Sequence, residues 1–323
     1  MNLFWKNVYI IGGFLAFFAG VAILVFAPVS SRSQSKLTDE RVETNQNKIP
    51  ADVLSWAKDQ NRVLGVQYPS SRALHILPKS IHVPILMFHY VEYVKDKGDT
   101  IRQSLDTTPY TFEQEIITLQ KAGYTFMTNK ELGDALDGTR SMPAKPIVLT
   151  FDDGYRDFYT DVYPILKKHN VKATEYLIAG FTGYPNNMTE DQIKEIAKDS
   201  LVEFGVHTVH HMGLKGLPLK SLAYEVFESK KQIEDMTGKQ TYSFAYPYGS
   251  FDIAAINAVH QAGFTTAVST VPGIDQLQTQ RYFMYRLRPG GRTGDSLLGW
   301  LDTVKDDAIS AAGTPSNLAT TKK

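Results

Sequence analysis

Ile147-Val148-Leu149-Thr150-Phe151-Asp152-Asp153-Gly154 is the stretch whose reading decides the fold. An apolar, β-branched run ends in two adjacent carboxylates and a glycine, the pattern of a buried strand that delivers polar groups at its carboxyl end. Paired acids in such a place repel each other and lose solvation, so they need a cation or a proton. A solvated Asp-Asp-Gly turn is the ordinary alternative for the tripeptide alone. Working outward, further apolar runs lie at Val83–Phe88, Ala173–Ile178, Val202–Val206, Tyr242–Ala245 and Thr265–Ser269, with helical stretches between them. Phe112–Ala122 and Asp157–His169 carry apolar residues at helical spacing. Thr189 with Gln192 forms a capping box opening a helix to Ala197. Leu219–Met236 and Ile253–Ala262 follow, the last closed by Gly263. Repeated βα units predict parallel strands covered by helices, an α/β barrel or a doubly wound sheet, with chemistry in the loops at the carboxyl ends of strands.

A second cluster, His207-Thr208-Val209-His210-His211, directly follows the apolar run Val202–Val206 and holds three of the chain's eight histidines. His207 and His211 have one-turn spacing and meet one metal if the loop turns helically, which leaves His210 pointing away. With Asp153 they make a two-His-one-carboxylate set that leaves positions open for water and substrate. Iron-dependent oxygenases use the same ligands, so the set does not name the reaction. The second acid, Asp152, favours hydrolysis: Zn²⁺ brings the pKa of bound water to about 7, and a carboxylate then suffices as general base.

The rest of the chain bounds these readings. Its 323 residues hold 34 basic and 34 acidic side chains, a balance with no excess to grip a phosphate backbone, so no nucleic-acid partner is expected. Cysteine is absent, which excludes disulfides, thiolate nucleophiles and Cys-ligated zinc. Val8–Ala27 is twenty residues without a charge, long enough to span a hydrocarbon core of about 30 Å. A cleaved signal peptide is the alternative, with a shorter apolar region as its usual mark. The expected organisation is a transmembrane anchor over 1–29, a stalk or linker over 30–81 that includes a short helix at Ala51–Leu64, a catalytic domain over 82–310 and a disordered tail over 311–323. The charge bias around the span is nearly balanced. The mass of chain after it favours an internal N-terminus with the domain outside.

Thr150–Gly154 and His207–His211 resemble the first two motifs of the NodB-like polysaccharide deacetylases, carbohydrate esterase family four, and Phe244-Ala245-Tyr246-Pro247-Tyr248-Gly249 is similar to the third. The resemblance covers about residues 82–300 and implies a distorted (β/α) barrel of the NodB-homology type. It also implies a metal-dependent hydrolase that removes acetyl groups from peptidoglycan or poly-N-acetylglucosamine-type polymers. By the same resemblance Asp152 is the base, Asp153, His207 and His211 hold a divalent ion (zinc, with cobalt, nickel or manganese as alternatives), and the Tyr248 backbone N–H helps hold the oxyanion. Two departures stand out. Ala245 occupies the place of the usual third-motif arginine, whose charge Arg286 is the candidate to supply. The usual C-terminal Leu-x-His is missing, and His89, at the end of Pro84–Phe88, resembles the general acid of the permuted poly-N-acetylglucosamine deacetylase subgroup. The implied setting is the outer face of a bacterial plasma membrane. An O-acetyl polysaccharide esterase and an inactive carbohydrate-binding scaffold are the competing readings.

Overall fold

A computed structural model describes residues 80–304; the expected anchor, the stalk up to residue 79, the helix at Ala51–Leu64 and the tail from Ala311 lie outside them, whereas Ser80 and Ile81, read as the end of the stalk, belong to the first strand. Among the described residues no helix is long and apolar enough to cross a membrane. The strands are β1 (Ser80–His82), β2 (Ile85–Phe88), β3 (Tyr90–Val91), β4 (Asp106–Thr107), β5 (Thr125–Met127), β6 (Pro146–Asp152), β7 (Ala173–Leu177), β8 (Val202–Val206), β9 (Ser243–Ala245), β10 (Thr266–Val268) and β11 (Asp275–Leu277). Seven of them form one sheet in the order β10-β9-β8-β7-β6-β2, with β5 also on β6. Every pairing in that sheet is parallel. The result is an α/β half-barrel. A short segment, Met284–Leu287, links its two edges through parallel bridges to Val268 and Leu86. Met284 N–H donates to Ala267 O at 2.8 Å and Leu287 N–H donates to Ile85 O at 2.8 Å.

The pleat explains what faces where. Along β6, Ile147, Leu149 and Phe151 belong to the large apolar core under the helices, whereas Val148 belongs to the smaller interior cluster with Ile85, Met127, Tyr176, Ala245 and Met284. Side chains alternate along a strand, so Thr150 and Asp152 follow Val148 onto the inner face. All seven residues of β6 are buried, as expected of a strand covered on both sides. The helices follow their caps. Thr189 and Gln192 form the reciprocal capping box that opens Glu190–Ala197. The first long helix begins at Pro109, before the expected Phe112, because Thr108 accepts the Thr111 N–H at 3.1 Å and Pro109 suits a first turn. The expected Leu219–Met236 helix runs to Thr237 but contains a π-helical turn at Tyr224–Glu228.

Glu115 is a misfit in this core. It is 1% exposed on the Pro109–Lys121 helix, and neither carboxylate oxygen has a hydrogen-bond partner among the described residues. Burial pushes its carboxyl up to about 8. The folded state therefore holds a proton that the unfolded state releases above about 4.5, and stability falls as pH rises from there through about 8. Glu115→Met keeps the length and helix propensity and removes the group. We predict that the variant gains about 1–3 kcal/mol at pH 8.5, the usual cost of a buried polar group without a partner. Its denaturation midpoint should also lose this pH slope. Equal midpoints for both proteins across pH 5–9 would count against the assignment.

Candidate metal centre and active site

Asp152 ends β6 on the inner face, and alternation should turn Asp153 outward. It does not, because Asp153 takes a left-handed backbone with φ 82°. That conformation is uncommon outside glycine, and Asp tolerates it better than most residues. The turn is held from several sides. Asp153 N–H donates to Tyr176 O at 3.0 Å, Gly154 N–H donates to Glu175 Oε1 at 2.9 Å, and Asn187 Nδ2 donates to Asp153 O at 2.8 Å. Both carboxylates thus address one site. Four of the five non-glycine residues with positive φ among the described residues lie around it: Asp153, Thr208, His211 and Tyr248.

The histidine loop departs from the expected helical turn. Residues 207–211 are not helical, and left-handed Thr208 (φ 67°) and His211 (φ 57°) bring the rings together instead. The backbone of Thr208 and Val209 accepts N–H bonds from Ala179 and Gly180 at 3.0 Å each. Gly180 permits this approach, since a Cβ there would stand 2.5 Å from Val209 O. Glu225 accepts the Val209 and His210 N–H groups at 2.9 and 3.0 Å and also pairs with His210 Nδ1 at 2.7 Å. His210 therefore points away and anchors the loop.

Asp153 Oδ1 lies 3.4 Å from His207 Nε2 and 3.3 Å from His211 Nε2, and the three ligand atoms fall within 4.8 Å of one another. His207 Nδ1 lies 2.7 Å from Ala245 O and, facing a carbonyl, donates to it. That tautomer leaves Nε2 as a lone pair aimed at the site. Burial pushes His207 down to about 3 and lowers His211 as well, so both imidazoles are unprotonated at neutral pH. Asp153 Oδ1 is buried with no hydrogen-bond partner. Ligands about 2.0–2.2 Å from a tetrahedral ion stand about 3.3–3.6 Å apart, which matches both Asp–His separations. The residues fit a divalent ion.

Asp152 is held separately. Arg286 Nη1 and Nη2 each donate to one of its carboxylate oxygens at 2.7 Å, while Nε donates to Ser269 O at 2.8 Å and Nη1 also reaches Thr150 Oγ1 at 3.1 Å. Arg286 is 1% exposed. Burial alone would raise the Asp152 carboxyl, but the guanidinium beside it holds it well below the usual carboxylate range. Asp153, next door without such a partner, is pushed up to about 7 by burial and by the Asp152 charge. The structure thus brings Arg286 to the acid, in the site where Ala245 supplies only a carbonyl.

His89 follows β2 immediately, close enough to feel Asp152, Arg286 and Arg288. Burial pushes it down to about 4, against the pull of the Asp152 charge. Tyr248 is left-handed (φ 59°) in the Pro247–Gly249 turn, its side chain exposed and its ring centroid 4.5 Å from that of His211. Sequence reasoning passed over Glu175, Asn187, Glu225 and Arg288, and saw Tyr155 only as an aromatic that could stack on a sugar face. Tyr155 hydrogen-bonds Asp153 and stacks on Tyr90 with ring centroids 4.0 Å apart. The signal for Glu175 was legible as a carboxylate in the middle of a buried strand of otherwise uncharged residues.

A family model described as polysaccharide deacetylase matches residues 139–267. YxkH of Bacillus subtilis, a protein described as a polysaccharide deacetylase, is 31% identical over 228 residues, which cover 70% of this chain and 78% of YxkH. The poly-β-1,6-N-acetyl-D-glucosamine N-deacetylase of Staphylococcus aureus strain MRSA252 is 25% identical over 257 residues, 75% of this chain and 81% of that protein. The solved structure of the Streptococcus pyogenes deacetylase PplD, in complex with acetate, aligns with a TM-score of 0.63 at 29% identity. That alignment covers 71% of this chain and 100% of the other.

Proposed function

The chain belongs to the polysaccharide deacetylase family, hydrolases of carbon–nitrogen bonds other than peptide bonds, and from that premise we propose that it removes acetyl groups from N-acetylated sugars of a cell-wall or extracellular polysaccharide by metal-dependent hydrolysis. One observation carries this reading. A buried, unpartnered Asp153 oxygen faces two imidazole nitrogens, beside an Asp152–Arg286 pair anchored on its own. Asp153, His207 and His211 would hold the ion, zinc or another divalent metal that accepts nitrogen and oxygen ligands. When bound, such an ion supplies Lewis acidity and ionises water near neutral pH.

The chain's own side chains then manage the protons. Asp152, kept ionised by Arg286, accepts a proton from the attacking water. His89 rests unprotonated at neutral pH, so the proton it gives to the departing amine is acquired within the turnover. Asp152, whose charge reaches the His89 ring, is its source. The water proton ends on the amine, the water oxygen on acetate. The backbone N–H of Tyr248 assists the developing oxyanion, and its exposed ring offers a face for a sugar. Arg286 takes the part of the third-motif arginine that Ala245 replaces, which weighs against an inactive scaffold.

The test is acetate release from defined N-acetylated glycans, with an O-acetylated xylan as comparison. Chelation should reduce release by at least about a hundredfold, and metal add-back should restore it, because three protein ligands alone leave the reaction without its Lewis acid. Release from the xylan alone would favour an esterase. No acetate from any glycan with metal restored would overturn the proposal.

A further inference from the structure

Arg288 lies just beyond the segment that closes the sheet, and no part of the chemistry above uses it. Leu287 pairs with Leu86, and Met87 N–H donates to Leu287 O at 2.8 Å, which fixes the register of this segment against β2. Arg286 points inward to Asp152 and Leu287 packs into the outer core. Alternation then returns Arg288 to the inner side, about 6–7 Å nearer the mouth than Arg286. There its charge reaches the His89 ring. Pro289 and left-handed Gly290 (φ 61°) end the segment at that point.

Arg288 is exposed, and no ion pair among the described residues includes it; Arg102, Arg140, Arg281 and Arg286 each pair with an acid, and Arg156 and Arg292, which do not, donate to backbone carbonyls. Partial burial and the neighbouring Arg286 disfavour its charge, and Asp152, the acid that favours it, is already engaged by both Arg286 nitrogens. A guanidinium kept beside a like charge, with its own fork open at a site mouth, is short of an anion. The fork matches a carboxylate or a phosphate.

We propose that Arg288 is an anion subsite on the leaving-amine side of the active site, selecting acetamido sugars that carry a carboxylate or phosphate on the same or the adjoining residue. The side follows from His89 as the group that protonates the amine, so the inference rests on the function proposed above. It separates two substrate classes, since glycan strands rich in muramic carboxylates satisfy the subsite and a neutral glucosamine polymer does not.

The test uses the metal-loaded full chain and three substrates: a neutral N-acetylglucosamine oligomer, peptide-free glycan strands bearing lactyl carboxylates, and an N-acetylglucosamine oligomer bearing a phosphodiester. Wild-type protein should prefer at least one anionic substrate over the neutral oligomer by about tenfold in kcat/KM, carried by KM and weakened by salt, as a charge-assisted pair requires. Arg288→Gln should erase that ratio and Arg288→Lys should keep part of it. Whichever anion loses more identifies the source. Equal treatment of the three substrates by wild type, or an equal loss on all three in Arg288→Gln, would overturn the subsite. Equilibrium binding of the same glycans to Asp152→Asn, with and without Arg288→Gln, is read without turnover. An anion preference there that Arg288→Gln removes, together with no acetate release by the metal-loaded wild-type chain from any of the glycans, would uphold the subsite and reject the deacetylase reading.

Discussion

Asp152→Asn should lower acetate release by about a hundred- to ten-thousand-fold, the range expected when a positioned general base is lost, while the bound metal stays near one equivalent. The two expectations separate because Asp152 and the proposed ligands are held by different partners. Asp153, His207 and His211 face one another, whereas Asp152 is oriented by Arg286, Ser269 O and Thr150 Oγ1 through the guanidinium. The amide oxygen of asparagine can still accept one guanidinium N–H, but its amide nitrogen opposes the other. The buried Arg286 charge then loses its counter-ion, at a cost of about 3–5 kcal/mol in stability. Activity must therefore be compared well below the variant's melting midpoint, with folding verified by circular dichroism and metal content by elemental analysis. Turnover at the wild-type rate in a folded, metal-replete variant would remove Asp152 from the role of base.

How much of this was legible beforehand depends on the range of each interaction. β6 was legible because a covered parallel strand must be apolar along its length, and its period-two pleat places Asp152 inside from sequence alone. The same pleat sends Asp153 to the wrong face. Only the left-handed φ of 82° corrects it, and that conformation depends on bonds from Asn187 and Glu175 that the local sequence does not announce. The spacing of His207 and His211 was legible, but the helical turn assumed to join them is replaced by left-handed Thr208 and His211 under the grip of Glu225 and of residues 179 and 180. Arg286 was only a candidate because its contact with Asp152 spans 134 positions. β5 and the Asn129–Leu136 helix escaped notice because a three-residue strand gives periodicity too little length to register. The Gly294–Thr303 helix escaped too, since Thr293 makes no side-chain cap and two glycines fall within its ten residues.

Arg286→Met should produce the second large effect, and its pH dependence gives the clearer signature. In the native chain the Asp152 carboxyl lies well below its ordinary value, so its ionisation contributes stability that is present above about 3.8 and lost as pH falls through the folded value. Removing the guanidinium leaves burial, the first cause acting on Asp152, which raises the carboxyl. The sign of the stability term then reverses: the variant folds with Asp152 protonated and loses stability as pH rises through the new folded value. Near pH 7 we expect a destabilisation of about 3–5 kcal/mol, the usual result of breaking a buried ion pair from one side. Activity should fall by at least about a hundredfold, because a protonated acid cannot take the water's proton. The pH–rate profile should gain an acid limb climbing toward alkaline pH that the native enzyme lacks in that range. Arg286→Lys keeps the charge without the bidentate fork and should fall between the two. In the double variant Asp152→Asn/Arg286→Met the losses should be far from additive, since each single change already removes the same interaction. Additive losses, or an acid limb unchanged by Arg286→Met, would mean that Arg286 braces the barrel seam and leaves the base untouched.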